Sequence, residues 1–308
     1  MLRSLLVPLD GSPFSESSLQ FAGKIARATG GSVHLAHVHV PYEPESLLAN
    51  TQFQFEHVNM AEYDAKHREG EERYLAGLAG RLSDEGTPVD TKILDGDEVA
   101  EELAAYADEV HTDMIFMTTH GHSGASRMWL GSVADEMIRR TKLPLFVLHP
   151  DGSGTLPDGV FSVGHVVIPL DGSKLAESVI DPATELARAT GARITLLHVA
   201  QMPEMGGWPV LATLRERPVP KLDGAIAYLD RLAEELRQDG FEVETHVERA
   251  VQTAVAIGRI AEELNADVIA LATHGYGGLK RTLLGSVADK LLRSSTLPLL
   301  VMRPSARA

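Results

Sequence analysis

Two stretches of this chain carry nearly the same chemistry. Residues 118–133 read Thr-Thr-His-Gly-His-Ser-Gly-Ala-Ser-Arg-Met-Trp-Leu-Gly-Ser-Val, and residues 272–287 read Ala-Thr-His-Gly-Tyr-Gly-Gly-Leu-Lys-Arg-Thr-Leu-Leu-Gly-Ser-Val. In both, Thr-His-Gly is followed by nine residues and then Gly-Ser. An apolar run precedes each block, Met114–Met117 and Val268–Leu271, and a helical pattern follows it. A glycine-rich loop between a strand and a helix aims backbone amides and the positive helix end at an anion such as phosphate. Its appearance twice in one chain argues against coincidence.

Other residues with chemical potential sit at equivalent places. Asp10 and Asp171 end apolar runs, each followed by Gly-Ser. Such a carboxylate can accept hydrogen bonds from ligand hydroxyls, or it can open the next helix through an Asx turn. Arg127 and Arg281 occupy equal positions within the nine-residue stretch, where an arginine can reach a phosphate, pair across a domain interface or stay solvated. Ser132 and Ser286 stand where a helix opens, so capping alone accounts for them. His120 and His274 follow a strand directly; with no nucleophile or carboxylate pair beside them, they read as structural. His37 and His39 share one strand face and His34 lies on the other. A metal site would need a third ligand on that face, and Ala200 replaces His39 in the second copy, so these histidines read as structural and no metal site is assigned. No Gly-x4-Gly-Lys-Ser/Thr, Gly-x-Ser-x-Gly or Ser-Gly-Gly-x-Asp-Ser run occurs, which argues against a P-loop ATPase, a serine hydrolase and an ATP-pyrophosphatase.

The elements that position these residues are also duplicated. Leu5-Leu-Val-Pro-Leu-Asp-Gly-Ser12 matches Val166-Val-Ile-Pro-Leu-Asp-Gly-Ser173, and Ala26-Arg-Ala-Thr-Gly30 matches Ala187-Arg-Ala-Thr-Gly191. The offset is 161 at the front and 154 at the back, so the second copy is seven residues shorter in its middle. Near-continuous apolar runs predict strands near 4–9, 32–40, 89–94, 113–118 and 144–148, with helices near 15–29, 60–86, 98–111 and 132–141. The second copy predicts strands near 165–170, 192–200, 242–248, 267–272 and 298–302. Alternation of this kind implies a parallel α/β sheet with helices on both faces. Residues 150–161, rich in Gly, Pro and Asp, read as a linker between domains 1–149 and 162–304. Segments 41–60 and 201–220 fit no element and read as lids, interface pieces or plain irregular structure.

Composition narrows the function. The chain has 308 residues, a net charge of −15 and no cysteine. That disfavours a nucleic-acid or anionic-membrane surface, which needs a basic face, and excludes thiol chemistry. The apolar runs are far short of the roughly 18 residues that span a bilayer, and the start runs into a strand pattern without a signal peptide's apolar stretch. A cytoplasmic location is expected.

With these residues in view, the chain resembles a tandem universal stress protein of the adenine-nucleotide-binding kind, over both halves and everything but the linker. That family's phosphate motif is Gly, two residues, Gly, nine residues, Gly, then Ser or Thr. Gly121 and Gly275 match its second glycine, and Gly131-Ser132 and Gly285-Ser286 its end; Thr118 and Ala272 stand where the first glycine would be. The resemblance implies two doubly wound five-stranded sheets of order 3-2-1-4-5, with the ligand at the ends of strands one and four, the topological switch point. It assigns Asp10 and Asp171 to the ribose or adenine edge and the backbone of Val38 and Val199 to adenine. Gly96 matches the family glycine before the third helix, with Ala250 as its counterpart. It implies ATP, ADP or AMP as ligand, magnesium or manganese with the phosphates, hydrolysis slow or absent rather than an enzyme's turnover, and a pseudo-dimer of the two domains with a homodimer open. Two further readings stand beside it. A nucleotide-free interaction module is favoured by Thr118, Ala272 and Ala250; a true hydrolase is disfavoured by the missing catalytic constellation.

Overall fold

The computed structural model describes residues 1–41, 60–119, 130–149, 162–202, 222–274 and 284–304. By contact they form two compact units, one containing 1–119 and 130–143, the other 144–149 and 162–304. Each unit is α/β.

In the first unit, β1 (Ser4–Pro8), β2 (Ser32–His39), β3 (Val89–Asp95) and β4 (Met114–Thr118) alternate with α1 (Pro13–Thr29), α2 (Met60–Asp84), α3 (Val99–Glu109) and α4 (Ser132–Arg140). The strand order is β3-β2-β1-β4, with β1 parallel to both β2 and β4. Leu5, Leu6, Val7 and Met114 to Phe116 are fully buried. Such runs without polar alternation require cover on both faces of the sheet. The edge strand β3, Val-Asp-Thr-Lys-Ile-Leu-Asp, is largely exposed and does not share that pattern.

The second unit holds β5 (Leu145–Leu148), β6 (His165–Pro169), β7 (Arg193–Gln201), β8 (Val243–Ala250), β9 (Val268–Ala272) and β10 (Leu299–Met302). Its helices are α5 (Lys174–Glu177), α6 (Ile180–Thr190), α7 (Asp223–Gln238), α8 (Thr253–Glu263) and α9 (Ser286–Ser294). The order is β5-β10-β9-β6-β7-β8. Only the β5–β10 pair is antiparallel, with Phe146 opposite Leu300. Contact therefore groups the last strand of the first repeat with the second unit. The helix corresponding to α1 is split here into α5 and α6. Pro182, in the first turn of α6, has no amide to continue a helix from the preceding turn.

Both copies anchor strand one to strand four in the same way. Asp113 Oδ2 accepts from the amides of Arg3 and Ser4 at 2.6 and 3.0 Å; Asp267 Oδ2 accepts from Gly164 and His165 at 2.7 and 2.9 Å. His165 is buried, with Nε2 2.8 Å from Thr195 Oγ1. Burial and then the Arg193 guanidinium hold its pKa below the ordinary value. A histidine whose folded pKa is depressed gives stability that is complete above the unfolded pKa and lost as pH falls below it, because the unfolded chain takes up the proton first. Urea midpoints measured from pH 7.5 to 5 should therefore fall with pH, and His165→Gln should flatten that fall.

Candidate functional site

At the carboxyl ends of β1 and β4 stand Asp10 and Thr118, with Gly131 at the helix start beyond, and the second copy places Asp171, Ala272 and Gly285 likewise at β6 and β9. After β1 the chain turns through Gly11 at φ 80°. Asp10 Oδ1 accepts from Ser12 N at 3.0 Å and from Ser12 Oγ at 2.6 Å, while Ser12 Oγ accepts from Ser15 N at 3.2 Å and caps α1. Asp171 repeats this with Ser173 at 2.9 and 2.6 Å, Ser173 capping α5 through Ala176 N at 3.1 Å. The Asx turn of the sequence reading is therefore present. It engages one carboxylate oxygen and fixes the direction of a side chain that stays exposed in both copies.

Val38 lies one step beyond the last β1 pairing. Leu9 N donates to Ala36 O at 2.8 Å. In a parallel ladder the backbone groups of residues i and i+2 face the same neighbour, so those of Val38 face the side on which β1 has already ended. Leu170 N donates to Leu197 O at 2.8 Å, which puts Val199 in the same relation to β6. His37 Nδ1 and His198 Nδ1 each donate to a carbonyl where the first strand ends, Leu9 O and Leu170 O, at 2.8 Å. Their structural role is thereby explicit.

The Gly-Ser pair departs from the capping expectation. Gly131 and Gly285 are the N-caps, and Ser132 and Ser286 are already the first helical residues, so the serines do not cap. A glycine cap has no side-chain oxygen to offer the first-turn amides. Gly131 N donates to Thr119 O at 2.6 Å and Gly285 N to Thr273 O at 2.7 Å, which brings each helix start against the end of β4 or β9. A Cβ on Gly285 would lie 2.8 Å from Thr273 O; this close approach, at an ordinary negative φ, is why glycine stands there. Thr118 and Ala272 close their strands. Gly96 follows β3, its amide 3.4 Å from His39 O. The nearest atoms a Cβ there would meet belong to the flexible Glu102 side chain; the counterpart Ala250 is the last residue of β8. Gly121, Arg127, Gly275 and Arg281, with His120 and the whole linker 150–161, lie outside the described residues. His274 Nδ1 is 3.0 Å from Thr273 Oγ1.

Two further groups behind the aspartates were not singled out by the sequence reading. Tyr74 of α2 and Tyr228 of α7 have their phenol pKa raised, first by burial and then by Glu16 or Glu177, with Asp10 or Asp171 adding to the effect. Tyr228 Oη donates to Glu177 Oε1 at 3.2 Å. The signal was available: Glu16 and Glu177 differ by the front offset and Tyr74 and Tyr228 by the back offset.

A duplicated α/β domain with paired strand-end carboxylates and glycine-capped helices defines a tandem protein of one superfamily type. The model of the universal stress protein family matches residues 1–149 and 163–303, and the chain belongs to that stress-response family, twice over. It is 26% identical over 305 residues to a universal stress protein of Mycolicibacterium smegmatis, covering 97% of each chain. It is 26% identical over 254 residues to universal stress protein Rv2005c of Mycobacterium tuberculosis, covering 77% of this chain and 79% of that one. Among solved structures, a universal stress protein from Archaeoglobus fulgidus shares the fold at a TM-score of 0.69, with 21% identity and 99% and 100% coverage.

Gly285→Ala should destabilise the chain by about 1–3 kcal/mol, because the new methyl has backbone as its neighbour. Gly258→Ala, in α8 with nothing within 4 Å of the added methyl, should stabilise it by about 0.5–1 kcal/mol. Urea unfolding of the two variants checks both signs.

Proposed function

We propose that each domain binds ATP or a related adenine nucleotide, ADP or AMP, and hydrolyses it slowly or not at all, so that the protein acts in the stress response as a nucleotide-responsive binder rather than an enzyme. One observation carries the reading: in both copies an exposed, turn-fixed carboxylate, a backbone edge facing past the end of the first strand, and a glycine-capped helix start occur at neighbouring strand ends. These are complementary to the ribose, base and phosphate of one ligand. Asp10 and Asp171 would take ribose or adenine hydrogen bonds. Val38 and Val199 would offer backbone to the base. Gly121, Gly131, Ser132 and Arg127, with Gly275, Gly285, Ser286 and Arg281, would surround the phosphates, along with Gly96, Thr118 and Ala272 at the rim. Magnesium or manganese would accompany the phosphates. Among the described residues no helix is long and apolar enough to cross a membrane, and the proposal includes a cytoplasmic location.

Mass spectrometry of nucleotide released on denaturing the purified protein should find adenine nucleotide. Calorimetry should give two sites of distinguishable affinity, with Asp10→Ala and Asp171→Ala each weakening its own. Gly121→Val with Gly275→Val should abolish binding in a folded protein. Unchanged ATP affinity in that double variant would overturn the assignment, and a protein that neither carries nor binds nucleotide would be the interaction module that Thr118, Ala272 and Ala250 favour.

The proposal extends to an internal pseudo-dimer of the two repeats, supported by the antiparallel pairing of β5 with β10. An apolar edge strand without its partner invites self-association. Residues 1–149 produced alone should therefore associate in ultracentrifugation, and a monomer at high concentration would count against this part of the reading.

A further inference from the structure

A cluster on the first copy lies beside the site described above and is absent from the second. His37 and His39 project from the same face of β2 toward α2, on which Asp64, His67 and Glu71 form one stripe at helical spacing. The Glu71 carboxylate receives three imidazoles: His39 Nδ1 at 2.7 Å from Oε2, and His67 Nδ1 at 2.9 Å and His37 Nε2 at 3.1 Å from Oε1. Asp64 Oδ1 is 3.2 Å from His39 Nε2. The ligand atoms of His39, His67 and Glu71 all lie within 4.8 Å of one another. Side-chain exposure rises from 2% at His39 and 11% at Glu71 to 43% at His67, so the cluster is buried at its base and open at its rim.

The roles of the ring nitrogens follow from the partners. Leu9 O, 2.8 Å from His37 Nδ1, can only accept, so that nitrogen carries a proton and Nε2 faces Glu71 Oε1 at 3.1 Å. His39 has a carboxylate at each nitrogen. Burial lowers its pKa, but the bonds to Glu71 and Asp64 outweigh that and raise it, so the surroundings favour positive charge at this ring. Protons on these nitrogens satisfy the carboxylates, and a metal ion that displaces them supplies the same positive charge. A carboxylate fixing the outer nitrogen of a histidine whose inner nitrogen can take the ion is the arrangement that supports metal-bound imidazole.

We propose that this cluster is a binding site for one divalent transition-metal ion of the zinc type, held by His39, His67 and Glu71, with Asp64 orienting His39. Two imidazoles and one carboxylate, with a fourth position left to water, are a donor set zinc accepts, at nitrogen and oxygen distances of about 2.0–2.2 Å. Ligands at that distance stand roughly 3.3 Å apart around a tetrahedral centre. Loading therefore asks Glu71 to draw back from its 2.7 and 2.9 Å contacts and the two imidazoles, within 4.8 Å of each other, to settle around the ion. The ion would join α2 to the end of β2 next to Val38. The second copy has Ala200 for His39 and Ala225 for Glu71, so the site belongs to the first copy alone.

The test uses the full chain after dialysis against chelator. Titration with zinc chloride followed by calorimetry and elemental analysis should give one zinc per chain, and cobalt(II) should develop visible d–d absorption in the same stoichiometry. His39→Asn and Glu71→Gln should each remove that stoichiometric binding. His67→Ala, at the exposed rim, should weaken it at least tenfold while leaving the circular dichroism spectrum unchanged, which keeps the test decisive if a buried variant does not fold. His246→Ala, in the second copy, should change nothing. Absence of stoichiometric zinc, or binding unaltered in the folded His67→Ala variant, overturns the proposal, and the cluster would then be held by protons alone. None of these readings depends on nucleotide.

Discussion

The parallel pairing of the first strand with both the second and the fourth is the constraint on which the rest depends. Because β1 stops at Pro8 while β2 continues to His39, the sheet has a step at its carboxyl end, and crossovers leave it in opposite directions from β1. Backbone groups past that step no longer have a strand to pair with, so the fold must answer them with side chains, turns or a ligand. His37 and His198 answer one carbonyl in each copy, at the same distance. The Asx turns at Asp10 and Asp171 organise the next residues, and the glycine-led starts of α4 and α9 close against Thr119 and Thr273. The open step at these strand ends is thus a consequence of strand lengths and connectivity before any particular side chain is considered.

The duplication separates what this architecture demands from what one copy has added. Asp113 and Asp267, His37 and His198, Ser12 and Ser173 make the same bonds at nearly the same distances; these hold the scaffold together. The differences lie on the face where the second helix of the fold packs. In the first copy that helix carries Asp64, His67 and Glu71 against β2 and Arg68 against Asp95. In the second, Ala225 stands on the corresponding helix in place of Glu71, while Leu229, like its counterpart Leu75, is buried. Polar clusters under a helix are costly unless every member is satisfied, so concentrating one in a single copy is a chemical specialisation and not a packing requirement. His34, on the other face of β2, shows the contrast: it packs edge-on against Tyr106 at 6.4 Å, and burial lowers its pKa, with Asp90 acting in the opposite sense.

The amino-acid sequence by itself determined the repeat, the alternation of strands and helices to within a residue or two at most ends, and the strand-end positions of Asp10, Thr118 and Gly131 and their counterparts, because apolar runs and turn residues are local signals. It did not determine how Gly131 and Gly285 are used. Capping by Ser132 or Ser286 is the local expectation, and the tertiary bond to Thr119 or Thr273 shifts the cap one residue earlier. Nor could it show that β5 pairs with β10 antiparallel, since a short apolar strand carries no record of its partner. The histidines are the clearest case. Along β2 they have no further partner, and the partners His67 and Glu71 lie about thirty residues beyond His39 on α2. Only the packing of α2 on the sheet decides which of its faces meets His37 and His39, and a helix rotated by one residue would have brought none of Asp64, His67 and Glu71 to them.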